Sequence, residues 1–379
     1  MKTMLIQHFT KRHGAPPEIV IRSPGRVNLI GEHTDYNDGF VFPLAIERAT
    51  WIALRPRPDQ QVILHSLDHN ETASFDLENF RKEEMTWREY PKGVAHVLRE
   101  TGHPLRGWEG VTCCDVPMGA GLSSSASLEL AVARAFAEVS GFAWDGRRMA
   151  LACQKAENEW VGVNCGIMDQ LICALGVEGH ALFIDCRSLE TIPAALPPGS
   201  AVLILDTATR RGLVGSAYNE RRAQCKAAAT HFGAIALRDV SLELFTTCAH
   251  ELEETIRKRA RHVISENQRT RDTLNAMQRG DAALLGRLMY ESHVSLRDDF
   301  EVTNDALNTI VEVVRKQPGC LGARMTGAGF GGCAVALVEA ARAADIAQHA
   351  AAEYEKTTGL TPAIYVTKPA QGTSLEEPS

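Results

Sequence analysis

The sequence lacks any long apolar run, and none approaches the roughly 18–20 consecutive apolar residues that a membrane-spanning helix needs. The first 14 residues also contain no continuous apolar stretch of the kind that signal peptides carry. The formal net charge is −7, so no excess of positive charge favours a nucleic acid or an acidic membrane. We therefore expect a soluble cytoplasmic protein with neither a nucleic acid nor a membrane as partner.

Three common site patterns are missing as well. The ten cysteines form no C-x-x-C pair and no Cys/His spacing typical of zinc, and most lie in apolar runs. A thiol in such a run behaves as a small hydrophobic side chain, and this usage fits a reducing compartment. No Gly-Lys-Ser or Gly-Lys-Thr occurs in the chain, so a Walker phosphate loop is absent.

The length of 379 residues and the hydrophobic content of 45% allow two or three domains around a large core. Short alternating runs predict an antiparallel sheet early in the chain, at Trp51–Arg55, Val62–Ser66 and Ala73–Leu77. The best domain boundary is the turn-forming segment Leu196–Gly199, so we place the domains at 1–198 and 199–379. The mixture of elements favours an α+β fold over a doubly wound parallel sheet.

The second half of the sequence predicts mostly helices, from Ser216 to Lys316. A strand, a glycine-rich loop, a second strand, a helix and a last strand follow, the last one at Ala363–Thr367. The tail from Gln371 to Ser379 is polar, and we expect it to be disordered.

The segment Ser23–Pro43 concentrates polar chemistry near two glycines, with Arg26, Glu32, His33, Asp35 and Asp38 close together in sequence. Every buried hydroxyl of a sugar needs a hydrogen-bonding partner, and such a set of donors and acceptors suits a polyhydroxylated ligand. On the pattern alone, a solvated polar loop explains the segment equally well.

A second segment, Pro117–Ser127, is rich in glycine and serine and leads into a strongly amphipathic helix. Gly119 and Gly121 allow the backbone to come close to a ligand, and a helix N-terminus attracts phosphate through its free N–H groups. A flexible linker or an ordinary helix cap is the alternative.

A third segment, Thr326–Gly332, matches G-x-G-x-x-G in spacing but leads into a strand instead of a helix. It is therefore not a dinucleotide fingerprint, and no H-R-D or D-F-G follows that would indicate a protein kinase. Two interpretations remain open: a glycine-rich turn that lets the backbone approach a ligand or another segment of the chain, and a plain strand-to-strand turn.

Asp169 begins a predicted helix, Asp169–Leu175, where an acidic residue is often simply a cap. A preceding helix is predicted over Arg147–Val161, ending at Gly162. Glu157 and Glu159 on that helix are expected to be solvated when no other information is used.

Taken together and in this order, the segments Ser23–Asn28, Pro117–Ser127 and Thr326–Gly332 resemble the three motifs of the GHMP kinase superfamily. Gly25–Asn37 is similar to the signature of one family in it, the galactokinases. Further blocks also resemble that family: Cys165–Gln170, Ile184–Ser188, Leu213–Ser216 with Tyr218 and Asn219, Glu291–His293 and Arg297–Phe300. The resemblance covers nearly the whole chain.

The resemblance implies a two-domain GHMP kinase fold with an active site in the cleft between the domains. The N-terminal domain, which would bind ATP and sugar, would be ribosomal-protein-S5-like, and the C-terminal domain ferredoxin-like. The implied reaction is the ATP-dependent phosphorylation of galactose at its C1 hydroxyl, with Mg²⁺ as cofactor, by a monomer or a weak homodimer. Two alternatives stay open: a kinase for a related sugar such as N-acetylgalactosamine or arabinose, and a non-catalytic sensor of galactose and ATP.

The resemblance also assigns roles to individual residues. Asp169 would accept the proton of the C1 hydroxyl, and Arg26 would lie beside that hydroxyl and the transferring phosphate. The sugar would be held by Glu32, His33, Asp35 and Tyr218. ATP would be bound by Gly119, Gly121, Leu122, Ser123, Ser124 and Ser125, with Trp87 as a weaker candidate for the adenine pocket. Ser124 or a neighbouring serine would hold Mg²⁺ together with Glu157.

Two departures from the family pattern are visible. Ala328 stands where many relatives have glycine in the third motif, which could narrow that loop. The segment Asp206–Arg211 differs from the Asn- and Ser-rich versions of the family, so Arg210 and Arg211 have no assigned role.

Overall fold

The computed structural model of the chain describes residues 1–210 and 214–378. Arg211 and Leu213, which belong to two of the sequence blocks above, lie outside the described residues. Among the described residues, no helix is long and apolar enough to cross a membrane.

The first part of the chain builds a sheet covered by helices. Its strands are β1 (Ile19–Asn28), β2 (Phe40–Val41), β3 (Pro43–Pro56), β4 (Gln61–Ser66), β5 (Glu71–Asp76), β6 (Trp108–Cys114), β7 (His180–Asp185) and β8 (Thr191–Ala195). Its helices are α1 (Lys2–His13), α2 (Glu89–Glu100), α3 (Ser124–Ser140), α4 (Gly146–Lys155) and α5 (Met168–Leu175). Strands β2, β7 and β8 form a separate three-stranded sheet.

The alternating runs of the sequence do form strands. In β4 every second residue is buried, the period expected of a strand with one face on the core. Helix α3 packs against the same core and is buried on nearly all of its sides, with Leu130 and Phe136 among its buried residues, so it is less one-sided than the sequence pattern predicted. The sheet and this helix together fix the position of the loop before Ser124.

The second part contains a four-stranded sheet and a helical excursion, which is the run of helices over residues 214–298. It comprises β9 (Ser200–Asp206), α6 (Val214–His231), α7 (Leu242–Cys248), α8 (Glu254–Gln278), α9 (Ala282–Asp298), α10 (Asp305–Arg315), β10 (Cys320–Met325), β11 (Cys333–Glu339), α11 (Ala343–Thr358) and β12 (Ala363–Thr367). The strand order β10-β11-β9-β12 is antiparallel throughout. This is the βαββαβ order of a ferredoxin-like sheet, so that expectation is confirmed.

Both faces of this second sheet are buried, which explains the continuous apolar run of β11. Helices α10 and α11 cover one face. The other face packs against residues of α9 and of the first part of the chain, including Val27 and Phe42. The two parts therefore share a core, and the α+β expectation is confirmed.

The C-terminal tail contradicts its prediction of disorder. Ser374–Glu376 forms strand β13, which pairs with β1 at the edge of a six-stranded sheet of order β13-β1-β3-β6-β4-β5. The buried Thr373 hydroxyl lies 2.9 Å from both the Ser23 hydroxyl and the Cys173 carbonyl oxygen. Backbone pairing at a sheet edge does not need apolar side chains, so a polar segment can form a strand there and the prediction of disorder was wrong. The segment Leu196–Gly199 lies between β8 and β9, and the division at 198/199 stays a prediction.

Candidate active site

A cavity of about 340 Å³ lies between the first sheet and the helical excursion. It is lined by residues from both parts of the chain: Arg26, Glu32, His33, Asp35, Tyr36, Glu157, Gly162, Val163, Asn164, Cys165, Gly166, Met168, Asp169, Tyr218, Asn219, Gly327 and Ala328. The resemblance assigned six residues to proton transfer or to sugar binding, and all six line this cavity: Asp169, Arg26, Glu32, His33, Asp35 and Tyr218.

Arg26 and Asp169 form a bidentate ion pair in this cavity. Arg26 Nε and Nη2 donate to the two carboxylate oxygens of Asp169 over 2.7 and 2.8 Å. Arg26 is buried, while the Asp169 side chain keeps 27% exposure and so remains open to the cavity. Burial lowers the pKa of Arg26, but the Asp169 carboxylate outweighs it and the pKa is raised overall.

The loop before α3 is tied to the same pair. The Ser123 hydroxyl donates to Asp169 Oδ2 over 2.5 Å, and Arg26 Nη1 donates to the Gly121 carbonyl oxygen. The Arg26 backbone N–H also donates to the Leu122 carbonyl oxygen, at an irregularity in the pairing of β1 with β3. Three donors thus converge on Asp169, an arrangement that suits an ionised carboxylate.

The segment 31–38 curls around one end of the cavity. Glu32 is buried, and its oxygens accept from Asn28 Nδ2, the Thr326 hydroxyl, the Gly327 N–H and the more distant Arg324. The glycine-rich turn after β10 therefore contacts this loop directly, as one of the two sequence interpretations allowed. Glu32 is held rigidly at the wall of the cavity.

Asp35 begins a short 3₁₀ turn, Asp35–Asn37, next to Gly166. A β-carbon at position 166 would overlap the Asp35 carboxylate, so glycine there permits its approach. Burial and the nearby Asp169 raise the pKa of Asp35 to about 7. The sequence analysis missed Gly166, because a single glycine between Cys165 and Ile167 gives no signal of what packs against it.

Two aromatic rings extend the same wall. His33 has a positive φ of 63°, and its Nδ1 lies 2.8 Å from the Tyr36 hydroxyl. Burial holds the pKa of His33 well below its usual value, so the ring is neutral. The ring of Tyr218, from α6, lies 5.2 Å from that of Tyr36 in an edge-to-face arrangement. Tyr36 and Asn219 are cavity residues to which the sequence analysis gave no role.

A second cavity of about 230 Å³ lies on the other side of the start of α3. Trp87 and His69 stack there with ring centroids 5.6 Å apart, and Ser124 and Ser125 line the same space. Gly119 and Gly121 in the adjoining loop have positive φ values of 68° and 81°. The helix N-terminus therefore lies between the two cavities: Ser123 bonds to Asp169, which lines the first, and Ser124 and Ser125 line the second.

Glu157 is buried, so the expectation that it is solvated is wrong, while Glu159 is exposed as expected. Glu157 lies on a π-helical turn, Ala156–Val161, that continues α4 up to Gly162. Gln170 Nε2 donates to Glu157 Oε2 over 2.7 Å. Burial together with the Asp169 charge raises the pKa of Glu157 to about 7, while the nearby Ser125 hydroxyl acts to lower it. Ser125, more than Ser124, is thus the serine associated with this carboxyl group.

The remaining polar residues of interest lie outside the first cavity. Asp38 pairs with Arg187 on the far side of the loop, with Nε and Oδ2 3.1 Å apart. Arg210 donates to both oxygens of Asp206 over 2.8 and 3.1 Å. Within the described residues, no three His, Cys, Asp or Glu side chains come together as a ready metal site. A metal here would have to rely on few protein ligands.

The chain matches three family models over this same architecture. Residues 89–177 match the GHMP kinase N-terminal domain, residues 273–356 the GHMP kinase C-terminal domain, and residues 7–56 the galactokinase galactose-binding signature. The structure of mevalonate kinase from Methanococcus jannaschii shares the fold, with a TM-score of 0.69 at 17% identity over 93% of this chain and 98% of that one. Fold and site thus define a GHMP kinase, an ATP-dependent phosphotransferase.

The particular family follows from closer relatives. A galactokinase from Roseiflexus sp. (strain RS-1) is 46% identical over 373 residues, which cover 97% of this chain and 95% of that protein. The crystal structure of Lactococcus lactis galactokinase complexed with galactose superposes with a TM-score of 0.94 at 37% identity, over 98% of this chain and 99% of that one. The chain belongs to the galactokinase family.

Proposed function

We propose that this chain transfers the γ-phosphoryl group of ATP to the C1 hydroxyl of galactose, giving α-D-galactose 1-phosphate and ADP. One observation carries the proposal above all. The Arg26–Asp169 pair opens into the cavity lined by the galactose-binding signature, and Ser123 ties it to the start of α3. Sugar hydroxyl, proton acceptor and phosphate loop can therefore meet at one point.

Asp169 is the proposed proton acceptor. As the C1 oxygen bonds to the γ-phosphorus and the bond to the ADP oxygen breaks, the hydroxyl proton passes to the carboxylate. Arg26 holds Asp169 in one orientation, and its guanidinium is close enough to the reaction centre to stabilise charge on the phosphoryl oxygens. Positioning and electrostatics supply most of the catalysis in such transfers.

The proposed sugar contacts are Glu32, His33, Asp35 and Tyr218. They offer acceptors and donors from both parts of the chain, which a ring with several hydroxyl groups requires. Glu32 is already fixed by protein donors, so it presents a rigid acceptor. Asp35 can accept or donate a hydrogen bond near neutral pH because its pKa is about 7.

For the nucleotide we propose that the phosphates lie at Gly119–Ser125 and that the adenine enters the second cavity beside Trp87 and His69. Ser125 or Ser124 and Glu157 would hold Mg²⁺, which neutralises phosphate charge when bound. The buried Glu157 carboxyl group, whose pKa the nearby Ser125 hydroxyl acts to lower, fits such a hard cation because it is an oxygen donor close to the phosphate loop.

A coupled ADP-release assay with galactose, glucose, N-acetylgalactosamine and arabinose side by side tests the function. We expect turnover with galactose well above the other three sugars. Faster turnover on N-acetylgalactosamine or arabinose would mean that this sugar, and not galactose, is the substrate. Binding of galactose and ATP without ADP release would instead indicate a sensor.

The cysteine usage and charge balance support a cytoplasmic location for this activity. We also propose that the enzyme works as a monomer or a weak homodimer. Light scattering over a range of protein concentrations tests the second point, and a stable higher assembly would contradict it.

A further inference from the structure

A fully buried carboxyl group lies behind the phosphate loop, and the proposed mechanism does not use it. Glu129 is on α3, one turn beyond the serines of that loop, and its side chain has no exposure to solvent. Its nearest polar contact is Gln170, the residue after Asp169. Gln170 Nε2 lies 3.3 Å from Glu129 Oε2. A buried acidic side chain without a cation beside it calls for an explanation, because burial of an unpaired charge is unfavourable.

Gln170 links this group to Glu157. Its Nε2 also donates to Glu157 Oε2 over 2.7 Å, so one amide nitrogen serves two carboxyl groups. An NH₂ group has two hydrogens, one for each acceptor. Gln170 is itself fully buried. The amide therefore has little freedom, and its orientation decides how Glu157 is held.

Two oxygens in this chain of contacts have no hydrogen-bonding partner among the described residues: Glu129 Oε1 and Gln170 Oε1. Both are acceptors when Glu129 is ionised, and each would be left unsatisfied in the interior. A single proton on Glu129 Oε1 changes this, because the group becomes a donor while the amide oxygen stays an acceptor. The side chains already meet through Nε2 and Oε2, so the second hydrogen bond would close a ring between them.

We propose that Glu129 is a positioning residue for Glu157. Its carboxylic acid and the Gln170 amide form a cyclic pair with two hydrogen bonds, and this pair directs the second amide hydrogen to Glu157. The part that concerns Mg²⁺ rests on the proposed role of Glu157. The pairing of Glu129 with Gln170 does not.

The charges around Glu129 support a proton there. Burial raises the pKa of Glu129 well above its usual value, and the nearby Glu157 and Asp169 raise it further, while Gln170 lowers it. The charge of Glu129 in turn raises the pKa of four neighbouring groups, none of which is a cation: Cys153, Cys165, Cys173 and Tyr90. No opposing positive charge therefore stabilises an ionised Glu129 among these neighbours.

Three variants test whether Glu129 acts through its two hydrogen bonds to Gln170. Glu129→Gln keeps the shape and can form the same ring, since its NH₂ donates to Gln170 Oε1 and its oxygen accepts from Nε2. Glu129→Met keeps the length and removes both hydrogen bonds. Glu138→Met makes the same exchange on the same helix, at a half-buried residue paired with Arg134, and serves as the matched control.

The first readout is infrared difference spectroscopy of the free enzyme near neutral pH. Wild-type protein minus Glu129→Gln should show the C=O band of a protonated carboxyl group. A difference spectrum with a carboxylate band and no such C=O band would overturn the proposed pairing of a protonated Glu129 with Gln170. This comparison needs only the isosteric variant, so it decides the question even if Glu129→Met fails to fold.

The second readout is the affinity for Mn²⁺ with a non-hydrolysable ATP analogue, measured by calorimetry without sugar. Glu129→Met should weaken it by about tenfold, as loss of an outer partner of a metal ligand typically does. Glu129→Gln and Glu138→Met should stay within about twofold of wild type. Equal weakening by Glu129→Gln and Glu129→Met, or none by Glu129→Met, would overturn the positioning role.

Glu157→Gln is measured in the same titration to keep the two proposals apart. Weaker Mn²⁺ binding in that variant supports the metal role on which this inference rests. Unchanged binding would overturn the metal role and with it the metal part of this inference. The infrared band would still decide between a protonated and an ionised Glu129.

Discussion

Arg26 and Asp169 are 143 positions apart in the chain, yet their side chains form two parallel hydrogen bonds of 2.7 and 2.8 Å. The first lies on β1, next to the edge strand β13 of the six-stranded sheet, and the second at the start of α5. Packing of that helix against the sheet sets their distance, so the pair is preformed before any substrate arrives. Several expectations about catalysis depend on this arrangement.

Asp169→Asn should lower the turnover number by about 10²- to 10⁴-fold, because an amide cannot accept the hydroxyl proton. The fold should be retained, since the side chains have the same shape. Steady-state kinetics with galactose and a circular dichroism melt check both points. Asp305→Asn, at the first residue of α10, is a control with the same chemical change and should leave turnover unaltered. A folded Asp169→Asn variant with near-normal turnover would remove Asp169 as the base.

Arg26→Ala should reduce kcat by about 10²- to 10³-fold and change the galactose KM much less. In the proposed mechanism the guanidinium stabilises charge that develops during transfer, and in the structure it holds Asp169 in place. Separate determination of kcat and of the galactose dissociation constant checks this. Equal losses in both would mean that Arg26 contributes to binding only.

The stability of the free enzyme should fall as pH rises from about 4 towards 7 through the contribution of Asp35. The ordinary pKa of an aspartate side chain is 3.8 and the fold raises that of Asp35 to about 7, so the folded state binds more protons in this window. Because Asp35 still faces the cavity, we expect a contribution of about 1–2 kcal/mol. Urea unfolding at several pH values, with Asp35→Asn alongside, measures it. The variant should be the more stable protein at pH 8, and an identical pH profile for both proteins would refute the idea.

Gly166→Ala should lower kcat/KM for galactose by about 10²-fold, because the new methyl group displaces the Asp35 carboxylate. The KM for ATP should change little, since Gly166 does not line the second cavity, where we propose that the adenine binds. Initial rates with each substrate varied in turn distinguish the two effects. The double variant Gly166→Ala with Asp35→Ala relieves the overlap and should lose no more activity than Asp35→Ala alone.

Thr373→Val should reduce the free energy of unfolding by about 1–3 kcal/mol, because it removes two buried hydrogen bonds at almost constant volume. Those bonds tie the segment before β13 to β1 and α5. Denaturant titration measures the change. Thr361→Val, at an exposed residue, is the matched control and should alter stability by less than about 0.5 kcal/mol. Equal effects of the two substitutions would mean that the Thr373 hydrogen bonds of the tail do not stabilise the fold.

The sequence allowed much of the fold to be predicted, because strand and helix periods are local signals. The alternating strands β4 and β5 and the amphipathic α3 appeared where they were expected. Strand β13 did not, since its stability comes from pairing with β1 and not from its own composition. Glu157 was misjudged for a related reason: it neighbours the exposed Glu159, and only the tertiary packing of a π-helical turn buries it.

The candidate site shows the same limit. Pattern alone left Asp169 as a helix cap, and only the resemblance to a family made it a candidate base. Its bond to Ser123 and its pairing with Arg26 depend on segments that are far apart in sequence. No local period reports such contacts, and neither Gly166 nor the Glu129–Gln170 contact could be inferred without them.

The helical excursion α6–α9 leaves the ferredoxin-like sheet after β9 and returns to it through α10. It contributes Tyr218 and Asn219 to the wall of the first cavity, whereas Arg26, Asp169 and the other proposed sugar contacts, Glu32, His33 and Asp35, are borne by the other half of the molecule. Exchange of this excursion for that of a relative with a different sugar should therefore alter hexose selectivity only through the wall around Tyr218, and it should leave the transfer step itself intact.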